Sequence, residues 1–330
     1  MYSCRSVLTG ATDNKIPMPL TNSILNRFYY YLKPAIPRSL QLIVRSKIAL
    51  HRRQLYRDSW PIDPSAGDIP EGWSGWPDNK QFALVLSHDV DTIHGADNIR
   101  DLVALEQNIG FRSSFNFVPE RYNYPSHIRS YLVENGFEVA VHGLIHDGKL
   151  FWSRDIFTER AGRINYYLKK WSAVGFHSPS MHRNLEWIHD LEIEYDQSTF
   201  DTDPFEPQSD GIRSIFPLWI FGGSSSKGYV ELPYTLPQDH TLFIIMKEKD
   251  IRIWKQKLDW VVEKGGMAFL NTHPDYMNFN RKGLGMEEYP ATFYSDFLRY
   301  IKKRYEGMYW HVLPREMAGF WRETMFLPNS

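Results

Sequence analysis

The chain has 330 residues, enough for one large α/β domain or two smaller ones. A hydrophobic share of 42% against 23% charged residues excludes wholesale disorder, and a formal net charge of -1 gives no reason to expect a nucleic-acid partner. Cys4 is the only cysteine, which excludes an internal disulfide and a cysteine-based metal site.

Taken in order, residues 1–21 read as a loose polar lead without the continuous apolar region of a secretory signal. No stretch approaches the ~18 apolar residues needed to cross a bilayer, so the expectation is a soluble, cytoplasmic protein. Asn22 to Leu32 and Ser39 to Leu55 have helical apolar spacing, interrupted at Pro34 and Pro37. This arm carries Arg27, Lys33, Arg38, Arg45, Lys47, Arg52, Arg53 and Arg57, with no acid between Asn22 and Asp58. It is either a solvated helix face on the main domain or a peripheral surface for anionic lipid headgroups or an acidic glycan. Residues 58–80, rich in Pro, Gly, Asp and Trp, read as an ordered linker or lid. The expected organisation is therefore a basic helical arm and linker over 1–80 and a barrel domain over 81–330.

From residue 82 onward, short apolar runs alternate with helical patterns, as in βα units. Strands are expected at 82–87, 113–118, 137–142, 173–177, 193–198, 229–233, 267–272 and 308–313. Helices are expected at 96–108, 126–135, 154–171, 184–191, 248–264 and 288–304. Seven or eight such units in about 235 residues point to a closed or distorted (β/α) barrel. Gly222 to Gly228 reads as a flexible loop that follows no clear strand and lacks phosphate-loop spacing. Aromatic residues reach 15%, with 11 Trp, which suits a carbohydrate-stacking surface, although a large core also consumes them.

Three strand ends carry the chemistry. The run Phe82 to Leu86 leads into Ser87-His88-Asp89-Val90-Asp91, and extended geometry points both aspartates the same way. Phe137 to Val141 ends in His142-Gly-Leu-Ile-His146, a spacing that suits one metal ion. One aspartate and two histidines supply three N/O ligands and leave a position open for water. The other aspartate can then take a proton from that water. Met267 to Asn271 ends in Thr272-His273-Pro274, where His273 suits a general acid. Metal, base and acid together meet the needs of metal-assisted acyl hydrolysis.

These residues resemble the polysaccharide deacetylases, the NodB-homology or carbohydrate esterase family 4 group. Ser87-His-Asp89-Val-Asp91 is similar to that family's first motif, which makes Asp89 the base and Asp91 a metal ligand. His142-Gly-Leu-Ile-His146 is similar to its His-Ser/Thr-x-x-His motif, with Gly143 in the Ser/Thr place. Leu270-Asn-Thr-His273-Pro274 is similar to its last motif, which makes His273 the acid. The match spans residues 80 to 275 and implies a distorted (β/α)7 barrel and a divalent metal, usually zinc. Two middle motifs depart. His177-Ser-Pro179-Ser180 stands where the family has Arg-x-Pro-Tyr, so His177, when protonated, or Arg183 nearby would have to steady Asp89. The aspartate expected to support the acid His has three candidates, Asp196, Asp201 and Asp203, of which Asp196 is taken first. Glu231 and Asp239 are expected on the sixth unit, lining the cleft or serving packing and turns.

The function implied is metal-dependent removal of an N- or O-acetyl group from a carbohydrate or glycan precursor. Two others compete with it. One is hydrolysis of a small non-sugar C–N bond, as in cyclic amidases and allantoinases. The other is a catalytically silent glycan-binding relative.

Overall fold

The computed structural model describes residues 37–222, 228–280 and 283–326. By contact density the chain divides into two units, Met1–Lys47 and Ile48–Ser330. The expected helix over Asn22 to Leu32 lies outside the described residues. Helix α1 (Arg38–Leu55) is the first described element, and no described helix is long and apolar enough to cross a membrane.

The larger unit is a curled sheet with helices around it, the distorted (β/α)7 barrel that the sequence implies. Strand β1 (Phe82–Val90) is buried along all nine residues, as its unbroken apolar start requires. After the short helices α2 (Ile93–Asp97) and α3 (Ile99–Ile109) come β2 (Ser114–Phe117), α4 (His127–Glu134) and β3 (Glu138–His142). Next are α5 (Arg154–Trp171), β4 (Gly175–His177), β5 (Tyr195–Asp196), β6 (Leu218–Ile220) and β7 (Tyr229–Glu231). The chain continues through α6 (Arg252–Lys264), β8 (Met267–Thr272), a minor pair β9 (Met277–Asn278) and β10 (Tyr289–Pro290), α7 (Ala291–Tyr305), β11 (Tyr309–His311) and α8 (Pro314–Phe326). Strands β1 to β5 and then β7 pair in parallel sequence. Beyond β7 the chain reaches β8 through the Leu236–Leu270 bridge, and β8 returns to β1 in register Ala83–Met267 to His88–Thr272. That closes the ring.

Helix ends follow ordinary capping physics. Ser153 accepts the Ile156 N–H to open α5, and Gly265, left-handed at φ 70°, ends α6. Three sequence expectations change. The segment 184–191 makes only a 3₁₀ turn over Trp187–Asp190. The Gly222–Gly228 loop does follow a strand, since β6 pairs antiparallel with β7; residues 223–227 lie outside the described set. Residues 58–80 are not a lid throughout: Trp76 donates to the Gly265 carbonyl at 2.7 Å and stacks on Phe216 at the N-terminal end of the strands, while Trp60 packs edge-on against Phe205.

At that same end Tyr195 donates to Glu138 at 2.8 Å, and Arg315 pairs with Glu138 at 3.0 Å, so a buried acid is fully engaged across three elements. Gly175 makes room for the tyrosine, because a Cβ there would stand 2.0 Å from the Tyr195 ring. Gly175→Ala is therefore expected to cost roughly 1–3 kcal/mol through overpacking. Chemical denaturation checks this; an unchanged midpoint would contradict the packing described.

Candidate active site

Alternation along β1 sorts its polar tail. Ser87, Asp89 and Asp91 face inward, while His88 faces out, bonding Thr272 at 2.7 Å and Glu106 of α3 at 2.9 Å. His88 is thus tied into the layer behind the sheet and is not part of the site.

Asp89, 2% exposed, is held from both sides of β1. Asn116 of β2 donates to its Oδ1 and Asn271 of β8 to its Oδ2, each at 2.8 Å. Each amide is itself oriented by a serine hydroxyl, Ser114 on Asn116 at 3.1 Å and Ser87 on Asn271 at 2.8 Å. His177 Nδ1 adds a third bond to Oδ1 at 2.8 Å. An ionised oxygen only accepts, so Nδ1 carries hydrogen; a neutral ring can donate this bond, and a protonated ring adds charge to it. The hydrogen bond thus orients Asp89 in either protonation state of His177, while charge-pairing with it still needs the protonated ring. Arg183 plays no part there: its guanidinium bonds the Met181, Gln208 and Asp210 carbonyls. Burial alone would raise the Asp89 carboxyl, but the charges and hydrogen bonds of His142, His177 and His273 more than offset it, and the group stays far below its ordinary range.

Among the described residues, two groups of side chains could hold a cation: Asp91 with His142 and His146, and Asp89 with His142 and His177. The first fits better. Both Asp89 oxygens are already engaged, whereas the buried Asp91 Oδ1 accepts no hydrogen bond among the described residues. His142 Nε2 lies 3.4 Å and His146 Nε2 3.0 Å from that oxygen. His142 Nδ1 faces the His177 carbonyl at 3.0 Å, so a neutral ring turns its Nε2 lone pair toward Asp91. Acceptors converging on one buried point suit a divalent cation. Asp275 fixes the carboxylate's backbone by accepting the Asp91 N–H at 3.0 Å.

The turn after β3 brings the two histidines together. Gly143 (φ 59°) and His146 (φ 60°) are both left-handed, and a Cβ on Gly143 would lie 2.3 Å from Pro179 Cγ. Pro179 thus occupies the space a side chain would need, which accounts for glycine in the Ser/Thr place.

His273 is 3.7 Å from Asp89 through Nε2. Its partner corrects the sequence reading. Asp239 accepts from His273 Nδ1 at 2.7 Å and from its backbone N–H at 2.8 Å, while Tyr289 donates to the same carboxylate at 2.9 Å. Asp196 instead accepts from Ser198 at 2.6 Å and lies beside Glu231, whose carboxyl is raised by burial and by Asp196. Asp201 is taken by Lys257, and Asp203 accepts from Tyr234 at 2.8 Å. The order of strand ends cannot reveal this choice, since Asp239 lies in the loop after β7, heading a π-helical turn over His240–Ile245. Asn116 and Asn271 were also missed. Their signal is polarity at alternate positions in otherwise apolar strands, Ser114-Phe-Asn116-Phe and Leu270-Asn271.

No protein-family model matches this chain, and no curated protein does either. Solved structures do. A protein assigned as a polysaccharide deacetylase from Mycobacterium smegmatis matches with a TM-score of 0.60 at 18% identity, over 79% of this chain and 97% of the other. PuuE allantoinase matches with a TM-score of 0.61 at 15% identity, over 82% and 100%. A protein assigned as a polysaccharide deacetylase from Pseudomonas aeruginosa PAO1 matches at 0.59 and 15% identity, over 80% and 98%. The chain therefore has the fold of polysaccharide deacetylases, which the allantoinase shares.

Burial disfavours the His273 imidazolium, yet Asp239, helped by Asp89 and Asp91, raises its pKa from 6.5 to about 10. A raised cationic pKa stabilises the fold fully below 6.5 and loses that contribution as pH rises through 10. Histidine-resolved NMR titration should find His273 protonated well above neutrality, and Asp239→Asn should bring its titration down by more than two units. A His273 that titrates normally in the unsubstituted chain contradicts the pairing.

Proposed function

We propose that this chain is a metal-dependent hydrolase that removes an N- or O-linked acetyl group from a carbohydrate or glycan precursor. The observation that carries the reading is the convergence of Asp91 Oδ1, His142 Nε2 and His146 Nε2 beside an Asp89–His273 pair 3.7 Å apart. In this reading Asp91, His142 and His146 hold a divalent ion, with zinc as first choice. Such an ion, when bound, supplies Lewis acidity to the acyl group.

The remaining work falls to the chain. Asp89, kept ionised, takes the proton of the attacking water, and Asn116, Asn271 and His177 fix both its oxygens for that transfer. His273, kept protonated by Asp239, gives its proton to the departing amine or alcohol. With 3.7 Å between them, Asp89 and His273 are close enough to act on one reacting group.

The allantoinase match favours a second reading, hydrolysis of a small non-sugar C–N bond by the same machinery. Turnover of acetylated sugars against ureides separates the two.

The first test is metal quantification. The native chain should carry about one equivalent of divalent ion, and Asp91→Ala and His142→Ala should each lose it at least about tenfold in affinity. Full content in both variants overturns the ligand assignment. A native chain with no ion overturns metal-dependent hydrolysis and favours the catalytically silent relative.

The proposal includes a cytoplasmic setting and a peripheral membrane contact through the basic arm. Helix α1 supports the contact: it exposes Leu40, Ile43, Val44, Ile48 and Leu50 beside Arg45 and Lys47. Its other cations are partly spent, since Arg52 bonds the Pro204 carbonyl at 3.0 Å and Arg53 pairs with Glu248. Replacing Arg45 and Lys47 by glutamate should weaken cosedimentation with anionic vesicles several-fold at low salt, at about 1 kcal/mol per cation. Equal binding of both chains to anionic and neutral vesicles removes the membrane contact from the proposal.

A further inference from the structure

Next to the site, at the same end of the barrel, a cleft opens where β2 ends. Phe117, Tyr122, Arg129, Tyr167, Lys170 and Trp171 line it. The cleft adjoins the candidate active site directly, because Tyr122 donates to the carbonyl of Val90 at 2.6 Å, the residue between Asp89 and Asp91. Its volume of about 190 Å³ is below the ~300 Å³ at which sites begin to enclose a whole small ligand, so it suits one residue or substituent of a longer substrate.

The charged residues that line the cleft are both cations, while Asp91, Asp275, Asp97 and Glu120, which do not line it, act on its tyrosines. Arg129 stacks on Trp171, its guanidinium 4.5 Å from the ring, and Lys170 lies over Tyr166 and Tyr167 at 5.3 and 5.9 Å. Stacking engages the flat face of the guanidinium and leaves its in-plane N–H donors for another acceptor. Among the described residues, neither Arg129 nor Lys170 donates to a carboxylate or carbonyl. The acid closest in the chain, Glu120, is committed to Arg163 and to the Tyr167 hydroxyl. Arg129 is half-buried, and burial makes its charge costlier to keep, so a bound anion would be favoured there. Aromatic rings beside such donors match the apolar face and the charged substituent of an acidic sugar.

We propose that this cleft is a subsite for a negatively charged substituent, a carboxylate or a phosphate, on a sugar next to the one that presents its acyl group to Asp89 and His273. The inference rests on the reading of the barrel as a glycan hydrolase and adds the class of glycan it takes. Arg129, held by Trp171, grips the anion, the cleft's aromatic rings flank the sugar, and Lys170 holds the charge from the rim.

Binding is measured calorimetrically on the full chain at low salt, with three probes: a uronic-acid disaccharide, a hexose 1-phosphate and a neutral disaccharide. At least one anionic probe should bind about tenfold more tightly than the neutral one, and the two anionic arms distinguish carboxylate from phosphate. The preference should fall to within about twofold in Arg129→Met with Lys170→Met, and Arg129→Lys should recover part of it. Thermal midpoints confirm that the variants fold. Equal binding of all three probes, absence of binding, or a preference that survives in the double variant overturns the subsite. Because these measurements need no turnover, a retained anion preference in a chain that cleaves no acetylated sugar would refute the hydrolase and keep the subsite.

Discussion

A carboxylate almost sealed from water has to be compensated, and at Asp89 that compensation organises the site. Three donors reach it from three strands: Asn116 from β2, Asn271 from β8 and His177 from β4. The parallel ladder sets Asn116 directly opposite Asp89, Asn271 opposite Ser87 on the same inward face, and His177 opposite His142, so neighbouring strand ends deliver the donors. Remove the alignment and the buried charge would be left without partners, a cost of several kcal/mol. Sheet closure and site electrostatics are thus one constraint seen from two sides.

The second aspartate is treated in the opposite way. Asp91 has its backbone pinned by Asp275, but the buried Oδ1 is left for the two histidine nitrogens. Two carboxylates two residues apart therefore have separate environments, one saturated with hydrogen bonds and one open to a cation. Chemistry that needs a proton acceptor and an ion holder side by side requires this asymmetry. The His273–Asp239 pair completes it with a group held in the charged, proton-donating form.

Much of this was legible in the sequence, because the parallel strands are apolar runs that end in polar clusters. β1, β3 and β8 were placed to within a few residues, and with them Asp89, Asp91, His142, His146 and His273. What escaped has physical reasons. Asp196 stands at a strand end as a catalytic carboxylate should, yet β5 has only two residues, and its carboxylate bonds Ser198 rather than His273. Asp239 is positioned by a π-helical turn, which has no simple periodicity to read. The two asparagines look like strand interruptions until the fold brings their amides to Asp89, Asn116 in register with it and Asn271 from the position opposite Ser87. His177, where the sequence resemblance expects arginine, reaches Asp89 through a hydrogen bond from Nδ1.

The paired amides also say something about when the site comes into being. Asn116 is 27 residues from Asp89 in the chain, but Asn271 is 182 residues away. The first contact can form from a local βαβ unit; the second waits until nearly the whole barrel has been synthesised and wrapped back on β1. A nascent or shortened chain would hold this aspartate from one flank only, with Oδ2 lacking its amide donor. The ionised, oriented carboxylate is therefore a product of ring closure, and a chain caught before closure would carry the motif without the constellation. In this protein, high contact order acts as a safeguard: a fragment lacking β8 cannot assemble this arrangement around Asp89.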